Sequence, residues 1–185
     1  LQDYAERKMR AGIAAIPDGT YSFADTYDCP EIEGQFDVTC AITVEGDQMH
    51  LHFDGPPQIR AGLNMTYTAL LSTVYYAVKA VVDPTIPPNA GLARPLHVTA
   101  PEGTVVNAVM PAASSMRGVT GFRLLDAVFG ALAQFLPTRV FAAGEGVNTL
   151  VVIGGQYTDR RRSVFFECMT GTWGARPDRD GNDGL

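Results

Sequence analysis

Apolar residues recur along this chain in two rhythms, one near helical spacing and one of strict alternation. Residues 1–15 place Leu1, Tyr4, Met9 and Ile13 near helical spacing, with Ile16 following and charges between, and Pro17-Asp18-Gly19 stops the run. Tyr21 and Phe23 alternate with polar neighbours and predict a strand over 19–28. Residues 35–44 carry Phe36, Val38, Cys40 and Ile42 on one face. After a tight turn at Glu45-Gly46-Asp47, Met49, Leu51 and Phe53 continue on a return strand, which completes a β-hairpin.

Two longer apolar segments follow. The first predicts a helix over 65–82, with Asn64 as its N-cap and a stripe of Tyr67, Leu70 or Leu71, Val74, Val78 and Val81. Asp83-Pro84 ends it, because a residue before proline avoids the helical region. The second predicts a helix over 119–136, with Phe122, Leu125, Phe129, Leu132 and Leu136 on one face and Pro137 as the stop. Between them, residues 87–113 are punctuated by proline and glycine. Asn89-Ala90-Gly91 reads as a turn with Gly91 at positive φ. Residues 95–99 read as a strand around Leu96 and Val98, and Val105, Val106 and Val109 as another. Residues 148–153 and 163–169 are β-rich runs joined through Gly154-Gly155 and an arginine cluster. The fold class is α+β: antiparallel β-hairpins and strands with two principal amphipathic helices, about 65–82 and 119–136.

Composition narrows the function classes. A hydrophobic fraction of 46% over 185 residues is ample for the core of one domain, or of part of one. The net charge of -6, with no basic block beyond Arg160-Arg161-Arg162, argues against nucleic acid or an anionic membrane as partner. Cys29, Cys40 and Cys168 are odd in number and widely spaced, which fits a reduced, cytoplasmic setting rather than a disulfide framework. The apolar helix at 65–82 carries Lys79 and several tyrosines, so it is not expected to span a membrane.

Candidate chemistry is sparse. His50 and His52 share one face of a strand, as two metal ligands would, but that face is the one expected to meet solvent. His97 has no serine or cysteine motif beside it and reads as a surface residue. Asp178, Asp180 and Asp183 are spaced like calcium ligands, yet the closing glutamate and flanking helix of a calcium loop are missing. Gly154-Gly155 and the Gly171-Thr172-Trp173-Gly174 run match no phosphate-binding pattern, so they are turns or, alternatively, backbone lining a pocket. Asn89 can hold its own turn. Arg94 suits a carboxylate, either of a substrate or of a buried partner such as Asp54 or Asp126.

The order of several short motifs carries more information than any one of them. Asp54-Gly55, Gly62-Leu63-Asn64, Tyr75-Tyr76, Asn89-Ala90-Gly91 with Arg94-Pro95, Gly130-Ala131-Leu132-Ala133, Gly154-Gly155, Trp173-Gly174-Ala175 and Asp180-Gly181 resemble the hydantoinase B family in sequence and in order. That family includes the B subunits of N-methylhydantoinase and oxoprolinase, and related subunits of acetone-type carboxylases. The resemblance implies a fragment of a longer B subunit that works with a hydantoinase A-like subunit in a hetero-oligomer. ATP bound by the partner activates an amide or ketone oxygen, and the B subunit completes hydrolysis or carboxylation with a divalent metal. The family's metal motif, His-His-x-Asp followed by glycines, lies upstream of this region and is absent from these residues, so the resemblance implies no cofactor bound by this segment, and no metal ligand or catalytic residue is carried over to it.

The expected function is therefore part of an ATP-dependent hydrolase of cyclic amides, inactive as an isolated chain. The alternatives are a ketone carboxylase subunit and a non-catalytic scaffold. Asn89, Arg94, Gly171 and Gly174 are the candidate substrate-binding positions. Where the family has a Gly-Asn step and then Glu-Thr, this chain reads Ser114-Ser115-Met116-Arg117-Gly118-Val119-Thr120, so the substrate is not carried over.

Overall fold

A computed structural model describes residues 1–29, 34–146, 149–169 and 171–182. Asn148, expected to open a strand, and Asp183 of the acidic loop lie outside these residues. The chain runs α1 (Gln2–Ile13), β1 (Gly19–Asp28), β2 (Gln35–Glu45), β3 (Gln48–Asp54), α2 (Tyr67–Val82), α3 (Ala90–Ala93), β4 (Leu96–Thr99), α4 (Arg117–Ala133), β5 (Thr149–Gln156) and β6 (Arg162–Met169).

β1, β2 and β3 form an antiparallel meander, and β4 joins β3 in parallel. The α+β class with antiparallel hairpins is as expected, and the parallel β4 is an addition to it. A parallel neighbour requires a crossover, and α2 with α3 supplies it. The alternation has the expected consequence. Val38, Cys40, Ile42, Met49, Leu51 and Phe53 are buried on the inner face. His50, His52, His97 and Thr99 stand exposed on the outer one. α4 packs on β1 and β2, α2 on α4, and α1 on α3.

Helix faces differ in detail from the periodic reading. α1 buries Ala5, Met9 and Ile13, whereas Leu1 and Tyr4 are exposed. α2 is capped by Thr66, whose side chain accepts a hydrogen bond from the Ala69 amide. Asn64 is not the cap. Its side chain is fully buried among loop carbonyls. α4 buries Leu124, Ala127, Val128, Phe129 and Leu132 and leaves Phe122 and Leu125 only half-buried, while Leu136, also half-buried, lies beyond its end. The helix touches the sheet on one side and α2 on another, so its buried arc is wider than one stripe.

Val105 and Val106 are buried but belong to no strand. Their segment bonds back to a loop instead: the Val105 amide donates to the Pro56 carbonyl at 2.9 Å, and the Met65 amide donates to the Val105 carbonyl at 2.8 Å. Gly91 lies inside α3 and not in a positive-φ turn. A methyl group there would run into the Gln2 backbone carbonyl, so glycine serves close approach of α3 to α1.

β5 and β6 pair only with each other among the described residues. Arg160 occupies the turn between them at φ 68°, and Arg161 pairs with Asp159 on the surface. Cys29 and Cys40 are buried thiols and Cys168 is an exposed one. Among the described residues no helix is long and apolar enough to cross a membrane.

Candidate functional site

A cavity of about 530 Å³ opens where α4 crosses β1. The inward face of β1 brings Phe23 and Asp25 to it. On α4, Asp126, Phe129, Gly130 and Ala133 recur at spacings of three and four and line its other wall. Gly130 lets the Phe23 ring lie directly on the helix, since a methyl group there would stand 2.5 Å from the ring. Two irregular segments close the mouth, one with Val140 and Phe141 and one with Ala175 and Arg176. They are tied by the Ala142 amide, which donates to the Ala175 carbonyl at 2.8 Å.

The walls are largely apolar, and Asp25, Asp126 and Arg176 are the charged residues lining them. Arg123 lies between two carboxylates, with Nη1 3.2 Å from Asp25 Oδ2 and Nη2 2.7 Å from Asp126 Oδ2. All three side chains are at most 20% exposed. The Asp25 contact has the distance of an ion pair without the alignment of a hydrogen bond, so the buried Oδ2 keeps an unused acceptor position. Burial pushes the Asp126 carboxyl up to about 6, Asp25 adds to the rise, and Arg123 opposes it. Such a group exchanges a proton near neutrality. Asp126 also borders a second cavity of about 210 Å³, lined by Phe122, Glu145, Gly171 and Trp173.

The four positions singled out from the sequence fall in two places. Gly171 borders the second cavity, against the Glu145 side chain, and Gly174 packs on the backbone of Ala142. Asn89 and Arg94 instead join α3 to α1. The Asn89 side chain accepts from the Gly91 amide at 2.9 Å as the cap of α3. Arg94 Nη1 donates to Asp3 at 2.8 Å and Glu6 at 2.7 Å, and Nη2 to Gln2 at 3.2 Å. Neither Asp54 nor Asp126 is its partner, and the pairing is a surface one at 42% exposure rather than a buried one.

His50 and His97 stack at 4.7 Å on the outer sheet face, and His52 meets Thr99. Among the described residues no group of three or more His, Cys, Asp or Glu is arranged to hold a metal ion, so the divalent metal implied by resemblance finds no ligand set in them. Of the Asp25–Arg123–Asp126 cluster, sequence reasoning names only Asp126, and as a candidate partner of Arg94 rather than of Arg123. The cluster's signals are an aspartate on the apolar face of β1 and an Arg/Asp pair three residues apart on α4.

The raised Asp126 value has a thermodynamic consequence. The folded chain holds this proton more tightly than the ordinary value of 3.8 allows. Its contribution to stability is therefore present below about pH 4 and lost as pH rises through about 6. Above that, the ionised group costs about 1–2 kcal/mol, allowing for screening at the open cavity. Asp126→Asn should be more stable than the parent by that amount at pH 7 and equal to it at pH 4. Thermal melts across this range check it, and a difference independent of pH would refute it.

Comparison with known proteins places this geometry in a family. The family described as hydantoinase B/oxoprolinase matches residues 1–185. The putative B subunit of a D-/L-hydantoinase from Pseudomonas sp. (strain NS671) is 31% identical over 198 residues, spanning 100% of this chain and 33% of that protein. An ATP-dependent caprolactamase from Pseudomonas jessenii superposes with a TM-score of 0.76 at 29% identity, over 88% of this chain and 29% of its own. A nucleotide-free acetone carboxylase superposes with a TM-score of 0.79 at 20% identity, over 96% of this chain and 26% of its own, and shares the fold. The chain thus spans about a third or less of the length of the proteins it matches. By the match along its whole length, it belongs to the hydantoinase B/oxoprolinase family.

Proposed function

We propose that this chain is part of the B subunit of an ATP-dependent hydrolase of cyclic amides, acting with an ATP-binding, hydantoinase A-like subunit. The observation that carries the reading is the likeness to the caprolactamase, an ATP-dependent enzyme named for a lactam. The cavity between β1 and α4 agrees with it in chemistry. Apolar walls suit ring methylenes, and the unused acceptor on Asp25 suits an amide N–H. Asp126 can then give or take a proton at the amide nitrogen as the ring opens. ATP belongs on the partner subunit in this reading, and the divalent metal belongs on residues outside this chain. The ketone carboxylase reading rests on a shared fold alone, and the scaffold reading on the lack of a metal ligand set among the described residues.

The test is copurification of the assembled complex and ATPase assays over hydantoins, oxoproline, lactams and ketones with bicarbonate. The expected result is ATP hydrolysis stimulated by a cyclic amide in the complex, and none by residues 1–185 alone. Stimulation by a ketone only would select the carboxylase. Turnover by the isolated chain would overturn its dependence on partners.

A further inference from the structure

The β5–β6 hairpin carries large apolar side chains on both faces, and among the described residues nothing covers either face. Cross-strand register puts Val152 with Phe166, and Leu150 with Cys168, on one side, and Ile153 with Phe165 on the other. Among the described side chains of the two strands, only Val151 and Ser163 are even half-buried. Val152, Ile153, Phe165 and Phe166 are each 53–61% exposed. The contrast with β2 and β3 is chemical. Those strands alternate and keep a polar face for water, whereas Leu150 to Ile153 of β5 and Val164 to Phe166 of β6 are unbroken apolar runs, the pattern of strands buried on both sides, with Glu167 following the second. A two-stranded hairpin standing alone in water is marginal at best.

A second copy of this chain, packed about a two-fold axis, would cover one face and leave the other open. Family length supplies a fuller cover. The acetone carboxylase superposes on 96% of this chain, which must include most of the hairpin, and that region is only 26% of its chain. About two thirds of the hydantoinase relative likewise lies outside the part matched here.

We propose that β5–β6 is the inner pair of a larger β layer, covered on both faces by the remaining two thirds of a family-length B subunit, joined to this chain or supplied beside it. Its apolar faces are then a subunit core, and the hairpin orders when that polypeptide docks. The inference rests on family membership and on the hairpin itself, and stands whether the substrate is an amide or a ketone.

Thiol labelling tests it. Cys168 is exposed on one face, while Cys29 and Cys40 are buried and serve as internal controls. A Cys168→Ser, Ile153→Cys variant reports on the other face, and its circular dichroism should match the parent. Both thiols should react with a maleimide at the rate of an open thiol in residues 1–185. Both should be slowed roughly a hundredfold or more in the assembled B subunit. Labelling of either position at the open rate in that assembly would overturn the proposal. Protection in residues 1–185 alone, at twice the monomer mass, would overturn it in favour of a homodimer.

Discussion

Asn64→Ala should destabilise the fold by about 3–5 kcal/mol, through the loss of four hydrogen bonds at a fully buried side chain. Asn64 is 0% exposed. Its Oδ1 accepts from the Ile59 amide at 2.8 Å, and its Nδ2 donates to the carbonyls of Ile59 at 2.7 Å, Ala61 at 3.0 Å and Ala113 at 2.7 Å. One side chain thereby ties the loop after β3 to the loop before α4. Alanine leaves an amide and three carbonyls without it, in a site only partly open to water. For a chain of this size, about 3 kcal/mol or more lowers the melting temperature by roughly 6–12 °C. Asn64→Asp should fall in the same range, since it removes both donors and adds a charge among carbonyls. Thermal and urea melts measure the effect, and a loss below about 1 kcal/mol would show that water replaces the side chain.

Gly91→Ala should cost at least about 3 kcal/mol, although the same change in an unhindered helix gains up to about 1 kcal/mol. The sign is decided by what stands opposite. At Gly91 the new methyl meets the backbone of Gln2, which cannot turn aside as a flexible side chain could, so α1 must move. Gly118, inside α4, has nothing within 4 Å of an added methyl and provides the control. Gly118→Ala should be neutral to stabilising. If both variants melt alike, the close approach of α1 to α3 is not a constraint on the fold.

The Gly91 case also shows what the sequence conveyed and what it did not. A turn-like Asn89-Ala90-Gly91 run signalled a special glycine, but two causes produce that signal. Positive φ is a local property, whereas close approach depends on Gln2, far away in the chain. Asn64 is similar. It stands where an N-cap is expected, next to a real helix start at Thr66, and local propensity could not reveal that its partners lie near residues 59, 61 and 113. The candidate site is the extreme case. Arg123 and Asp126 are neighbours on one helix turn, but Asp25 reaches them only because α4 crosses β1. The burial that raises Asp126 comes from that crossing as well.

By itself, the order of apolar and polar residues determined the elements α1, α2, α4 and β1 to β6 and the inward faces of β2 and β3, while the resemblance of short motifs in their order pointed to the family. These are properties of nearest neighbours and of motif order, and both survive in a linear string. Only the tertiary structure decided that β4 runs parallel to β3, that Val105 bonds to a loop, that Arg94 serves α1, and that two carboxylates share one arginine beside a cavity. Each depends on segments distant in sequence meeting at a distance of a few ångströms. Periodicity reports which face of a segment is apolar, but not which other segment will cover it.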